Sequence, residues 1–168
     1  MINILPATTL DDYKCISELA HIIWHDHYIN IISLEQIEYM LEKYNSVNSI
    51  EKRIKEGGRF FYMTYNNAPV GYIAIEIESD FLYISKLYVL KDYRGLKIAK
   101  SAILYTESMA LKQGKSVIKL HVNKYNSNSI KVYQKMGFVN VESLITDIGK
   151  GFIMDDYLMV KTLKGRKI

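Results

Sequence analysis

The hydrophobic positions of this chain follow a helical period in the first third, a strand-like pattern in the middle, and alternate between the two thereafter. Ile2 to Leu5 reads as a short strand ended by a turn at Pro6. From Leu10 to about Ile31, the residues Ile16, Leu19, Ala20 and Ile23 recur at the spacing of a helix with one apolar face. Ser33 followed by Gln36 is a capping-box pattern. It opens a second helix, Leu34 to Tyr44, with Ile37, Met40 and Leu41 on one side. A third helix, Val47 to Glu56, should stop at Gly57-Gly58, since glycine accepts the left-handed cap conformation.

Three strand-type runs follow: Arg59 to Tyr65, Val70 to Glu78 and Phe81 to Leu90. The links between them, residues 66–69 and 79–80, are short enough to force antiparallel neighbours. A helix from about Lys97 to Gly114 then leads to SVIKLHV, residues 116–122. A helical crossover makes that strand parallel to the 82–90 strand. A helix over Ser127 to Met136, stopped by Gly137, precedes two closing strands. These are Phe138 to Leu144 and Phe152 to Leu163, with a loop at 147–151. The order is β, α, α, α, β, β, β, α, β, α, β, β: a mixed, mostly antiparallel sheet with one parallel pair at its centre.

Composition narrows the classes. The 168 residues suit one domain, 1–168, with a core of its own; 49% are apolar and 24% charged, as in soluble globular proteins. No apolar run approaches the roughly 20 residues of a membrane span, and MINILPATTLDD lacks the regions of a signal peptide. No membrane partner is expected. One cysteine, Cys15, excludes an internal disulfide and fits a reducing cytoplasm; its helical context suits packing better than nucleophilic chemistry. The net charge of +4 is small and partly lies in the tail Lys164, Arg166 and Lys167, which reads as solvated and mobile. Without a clustered basic stripe, nucleic acid is not an expected partner. No metal site is expected.

The chemistry concentrates between Leu82 and Ala110. An almost uncharged strand ends in Lys91 to Gly95, and a helix begins just beyond. Its face is set by Ile98, Ala102, Ile103, Tyr105, Met109 and Ala110. The first N–H groups of a helix have no acceptor within it and carry partial positive charge. With Arg94, Lys97 and Lys100 beside them, they suit a phosphate or pyrophosphate.

Three signatures then converge. Leu87-Tyr88-Val89 precedes Arg94-Gly95-Leu96-Lys97-Ile98-Ala99; Asn126 follows the LHV strand, seven residues before Tyr133; and the helix closes in Tyr133-Gln134-Lys135-Met136-Gly137-Phe138. Together these resemble the GNAT superfamily of acyl-CoA-dependent N-acetyltransferases over Arg59 to Phe138, extending to the flanks. The segment from Ile23 to Leu41 is similar to a polyamine-acetyltransferase-like branch. One departure is Lys97, where the family loop carries its central glycine; a lysine there can keep a helical backbone and place an ammonium near the phosphates.

The resemblance implies an α+β (α/β/α) single-domain fold. Its mixed, mostly antiparallel sheet has a splayed central parallel strand pair and helices on both faces. It implies transfer of an acetyl group from acetyl-CoA to a primary amine of a small molecule or protein, by direct attack in a ternary complex. The cofactor residues it implies are Leu87, Tyr88, Val89, Arg94, Gly95, Leu96, Lys97, Ile98, Ala99, Lys100, Asn126, Asn128 and Lys135. Tyr133 is the expected general acid: a phenol titrates near ~10 and holds a proton for a leaving thiolate. For the base, many relatives use a glutamate on a central strand. Those places hold Ser85 and His121, and His121 is selected against reserves Glu76, Glu78, His25 and His27. Trp24 and Tyr28 are expected to wall the acceptor pocket, with Glu76 drawing a cationic acceptor. Loops in the N-terminal third and at 144–151 are expected to choose the acceptor. A homodimer is common among relatives. The alternative is a non-catalytic acyl-CoA-binding module, motivated by the missing central-strand carboxylate.

Overall fold

In the computed structural model, which describes residues 1–164, the element order is the one expected. Arg166 and Lys167, to which a mobile role was assigned, lie outside the described residues. Seven strands hydrogen-bond in the order β1-β2-β3-β4-β5-β7-β6. The chain divides into two compact units: Met1–Glu76 with Lys86–Ala102, and Ile77–Ser85 with the residues from Ile103 onward.

In the first unit, β1 (Ile2–Pro6) and β2 (Arg59–Tyr65) pair antiparallel from Ile2↔Tyr65 to Pro6↔Phe61. β2 pairs antiparallel with β3 (Ala68–Ile77) through a tight turn at Asn66 and Asn67, whose φ angles are 49° and 69°. Two successive left-handed residues match the twist of a hairpin, and asparagine tolerates them. The turn is therefore shorter than residues 66–69, and the strand takes Ala68 and Pro69.

Three helices belong to this unit: α1 (Leu10–Tyr28), α2 (Leu34–Asn45) and α3 (Val47–Lys55). Each is started by a side chain that accepts an otherwise unpaired amide. Ser33 accepts from Gln36, Ser46 from Ser49, and Thr9 from Asp12 at 3.2 Å. The reciprocal box is at Thr9, because Asp12 also receives the Thr9 amide at 2.9 Å. Bonds from the Thr8 and Thr9 amides, Thr8 first, lower the Asp12 carboxyl below its ordinary range. α1 ends at Tyr28, short of Ile31; the amides of Ile31 and Ile32 fold back onto the Tyr28 carbonyl. Its apolar face is buried as expected at Ile16, Leu19, Ala20 and Ile23. Cys15 is half-buried, and desolvation raises its thiol pKa, which suits packing.

In the second unit, the first half of β4 (Leu82–Val89) pairs in parallel with β5 (Val117–Asn123), from Leu82↔Ile118 to Ile84↔Leu120. β7 (Phe152–Thr162) inserts between β5 and β6 (Val139–Gly149), antiparallel to both. The expected 147–151 loop is mostly strand. β6 runs on to Gly149, and only Lys150 and Gly151, with φ of 53° and 79°, make the turn. Acceptor choice by a loop at 144–151 therefore has a long hairpin in place of a loop. α4 (Ile98–Lys112) buries Ile98, Ala102, Ile103, Thr106 and Ala110; Tyr105, expected on that face, is exposed. No helix among the described residues is long and apolar enough to cross a membrane.

Candidate active site

The first unit holds the anion-binding candidate. After β4, residues Lys91–Tyr93 form a single 3-10 turn, against which α1 packs. Gly95 and Lys97 then take left-handed φ angles of 79° and 64°, and α4 starts. Among the described residues, the amides from Gly95 to Lys100 donate to no protein acceptor, and the first that does is Ser101, to the Lys97 carbonyl at 2.9 Å. Left-handed residues alternating with ordinary ones turn successive N–H groups toward one side and make an anion-binding concavity. Gly95, Leu96, Lys97 and Lys100 are exposed, so the concavity opens to solvent. The expectation that Lys97 keeps a helical backbone is corrected: it stands in the left-handed, glycine-favoured conformation. Arg94 is exposed, yet its Nε donates to the Val89 carbonyl at 3.2 Å, which ties the loop to the end of β4.

Leu87, Tyr88 and Val89 close that strand. Gly71 of β3 lies so near that a Cβ there would be 2.4 Å from the Tyr88 carbonyl oxygen and 3.2 Å from the Val89 Cα. A glycine is the only residue that admits this approach. Tyr88 also enters an aromatic cluster with Trp24, Tyr28 and Tyr72, at ring separations of 5.3, 6.3 and 5.4 Å. Trp24 donates its indole N–H to the Tyr72 hydroxyl at 3.0 Å, and Tyr72 donates to Asn45 at 3.1 Å. Burial pushes the Tyr72 phenol well above its ordinary pKa. The Tyr28 and Tyr88 hydroxyls meet at 3.2 Å. Trp24 and Tyr28 are themselves buried, at 3% and 8% exposure.

Glu76 is ion-paired with Arg53 of α3. Nearby, Lys86 of β4 is buried with its ammonium over the Tyr44 ring, 5.6 Å from the centroid. Among the described residues no carboxylate pairs with it. Burial first, then the Arg53 charge, lower its pKa to about 7. Of the histidines, His25 bonds the His21 carbonyl at 2.6 Å and Glu38 at 2.5 Å. These bonds, the one to His21 leading, raise its pKa.

The second unit holds the candidate acid and base. Tyr133 is buried in α5 (Ser127–Lys135) and packs edge-on against Phe138, 5.8 Å between rings. The Tyr-x-x-x-Gly-Phe spacing has a local cause. Gly137 takes φ of 93°, and the Phe138 amide returns to the Tyr133 carbonyl at 3.0 Å, so the two rings close the helix end together. Asn126 caps α5, its side chain accepting from the Ser129 amide at 3.3 Å. Asn128 and Lys135 are exposed on the same helix.

His121 stands on β5, with its Nδ1 2.6 Å from the Tyr83 hydroxyl. Desolvation lowers its pKa against the pull of Glu142, so the ring is neutral at pH 7. On β7, Asp155 ion-pairs Lys124 at 2.6 Å, whereas the adjacent Asp156 is buried, at 5% exposure. Burial chiefly, then the Asp155 charge, raise the Asp156 pKa to about 6. Lys86, Tyr83 and Asp156 were missed from sequence. The available signals were a lone lysine within an apolar strand and an Asp-Asp doublet in a closing strand. Among the described residues, no three His, Cys, Asp or Glu side chains cluster to hold a metal.

Comparison with known proteins adds three findings. The family model described as an acetyltransferase (GNAT) domain matches residues 29–154. A spermidine N(1)-acetyltransferase of Thermoplasma acidophilum is 28% identical over 152 residues, covering 88% of this chain and 92% of that protein. Among solved structures, the PaiA N-acetyltransferase of Thermoplasma acidophilum in complex with coenzyme A superposes with a TM-score of 0.83 at 24% identity. That match covers 96% of this chain and 99% of that one. The ribosomal-protein-S18-alanine N-acetyltransferase of Escherichia coli gives 0.72 at 15% identity, over 100% and 99%.

Proposed function

Since the chain belongs to the GNAT acetyltransferase family, we propose that it transfers an acetyl group from acetyl-CoA to a primary amine by direct attack in a ternary complex, through one domain spanning 1–168. The observation that carries the reading is the run of unpaired amides from Gly95 to Lys100, shaped by left-handed Gly95 and Lys97. Those amides take the cofactor's pyrophosphate, and Lys97, Lys100 and Arg94 add charge. Leu87, Tyr88 and Val89 offer backbone groups to the pantetheine arm. Asn126, Asn128 and Lys135 complete the cofactor set.

The chemistry needs an amine without its extra proton. His121 accepts that proton, a role that its neutral imidazole at pH 7 supports. The amine nitrogen then attacks the thioester carbonyl, the carbon–sulfur bond breaks, Tyr133 gives its phenolic proton to the departing thiolate, and the proton that the nitrogen sheds on becoming an amide passes to solvent, from which the phenol is restored. Trp24 and Tyr28 act through Tyr88, against which they pack. A polyamine acceptor is favoured by the 28% identity to a spermidine acetyltransferase.

The test is release of free coenzyme A thiol from acetyl-CoA across an amine panel, beside calorimetric binding of coenzyme A. Thiol release that requires an amine is the expected result. Binding without release from any amine overturns the enzyme reading in favour of a non-catalytic acyl-CoA-binding module. Failure of coenzyme A to bind overturns both.

A further inference from the structure

The second unit buries a carboxylate that has no ion-pair or hydrogen-bond partner among the described residues, the Lys124 charge acting on it only from its pair with Asp155. Asp155 and Asp156 are neighbours on β7 and point to opposite faces of the sheet. Asp155 is served by Lys124. Among the described residues, no donor bonds the Asp156 carboxylate and no cation pairs with it, although it is only 5% exposed. A buried carboxylate with no counter-charge destabilises the fold.

Its surroundings follow from the strand registers. Asp156 pairs with Asn123 of β5 on one side and Leu144 of β6 on the other. Two residues along β7, Leu158 pairs with His121 on β5 and Glu142 on β6. Paired residues share a face, and so do residues two apart on one strand. His121, Glu142 and Asp156 therefore lie on one face of three adjacent strands, with Tyr83 hydrogen-bonded to His121. By the same rule Lys119, paired with Val160, lies on that face too, its ammonium over the Phe81 ring. Around Asp156 the face carries a second carboxylate and a neutral imidazole, and Lys124 is engaged by Asp155. Asp156 and His121 stand in a diagonal relation, on the order of 7 Å apart at the backbone. Two nitrogens separated by three or four carbons span a similar distance.

We propose that Asp156 is a specificity-determining residue of the acetyl acceptor site, receiving one ammonium of a diamine-type cation while the amine to be acetylated lies at His121. The proposal rests on the transferase reading with its polyamine acceptor, and assigns to one residue the recognition of the second positive charge that such an acceptor carries a short carbon chain away. It replaces Glu76 as the anionic contact, because Arg53 already neutralises Glu76.

The test compares 1,4-diaminobutane with butylamine, which lacks the second charge, in wild-type protein, Asp156→Asn and Asp156→Ser. Thiol release from acetyl-CoA should favour the diamine in the wild type. Both variants should raise its KM by about tenfold or more, leave kcat within a few-fold and leave butylamine unchanged. Calorimetric titration of 1,4-diaminobutane into the protein, with coenzyme A present, should give binding that both variants lose; this readout does not need turnover. Both variants should also melt higher than wild type at pH 7, since each removes an unpaired buried charge. Equal loss with both amines, unchanged diamine KM, or lower melting temperatures in both variants overturns the proposal and leaves Asp156 a structural residue. If no amine releases thiol yet the diamine binds through Asp156, the transferase reading fails and the cation site stands.

Discussion

The loop proposed to hold phosphate and the β5–β7–β6 face proposed to hold the acceptor are built by opposite means. The loop is built from backbone: its donors are peptide N–H groups, aimed by the φ angles of Gly95 and Lys97. The face is built from side chains on regular strands, His121, Glu142 and Asp156, whose meaning comes from which strand pairs with which. A site of the first kind survives side-chain changes that keep the angles. A site of the second kind is lost with a single functional group.

The largest effect should therefore come from a side chain. Tyr133→Phe removes one oxygen and should cut turnover by about 10²–10⁴-fold, the usual contribution of a positioned acid, with coenzyme A affinity nearly unchanged. Equal turnover in the variant, measured by thiol release, would remove Tyr133 from the mechanism.

Lys86 gives the next effect. It is the cationic counterpart of Asp156, buried in the first unit beside Arg53 and paired with no carboxylate among the described residues. Its pKa falls from 10.5 to about 7, so the folded state resists its charge. The cost is present below pH 7 and fades as pH rises toward 10.5. Lys86→Met should raise stability by roughly 1–4 kcal/mol at neutral or lower pH, and by less at pH 10. Denaturant melts at several pH values would read this. A destabilised variant would mean that the ammonium over Tyr44 has compensation of its own.

Two backbone substitutions probe the other region. Gly71→Ala forces a methyl against the Tyr88 carbonyl and should cost about 1–3 kcal/mol. Coenzyme A affinity should fall with it, since Tyr88 and Val89 must move. Lys97→Gly relieves a left-handed lysine and should stabilise the fold by about 1 kcal/mol, with coenzyme A binding kept. A large loss of binding there would show that the ammonium outweighs the amides, and would dissolve the contrast drawn above.

The smallest effect is at His25. Its raised pKa means that the His25–Glu38 interaction contributes fully below the unfolded value of about 6.5 and fades as pH rises through the folded one. Glu38→Gln should lower stability at pH 5.5 but not at pH 9, by under about 1 kcal/mol, as denaturant melts would read. A difference that persists at pH 9 would assign the contact to packing.

How much could be read from the residues follows the same division. Periodicity and short links predict all twelve strands and helices in order, because each depends on local spacing. The unpaired amides from Gly95 to Lys100 follow from local features too, a glycine and a helix start. The misjudged features were those set by pairing. β6 reads as loop past Leu144 because Thr146, Asp147 and Gly149 are turn formers, yet β7 holds them in a ladder to Gly149. The free carboxylate of Asp156 could not be told from that of Asp155 until the sheet assigned Lys124 to one of them. Glu76 reads from sequence as an acid that draws a cationic acceptor, and Arg53, twenty-three residues away, is ion-paired with it. Lys97 was misread in conformation because residue type alone does not state a φ angle.

The amides between Gly95 and Lys100 carry one more consequence. Alanine scanning deletes side chains and leaves peptide N–H groups where they were, so a scan through Leu96, Lys97 and Lys100 would read the charge that the two lysines add and miss the backbone donors. Chemical replacement of single amides by esters, which erases a donor and keeps the shape, is the perturbation to which this segment should be sensitive.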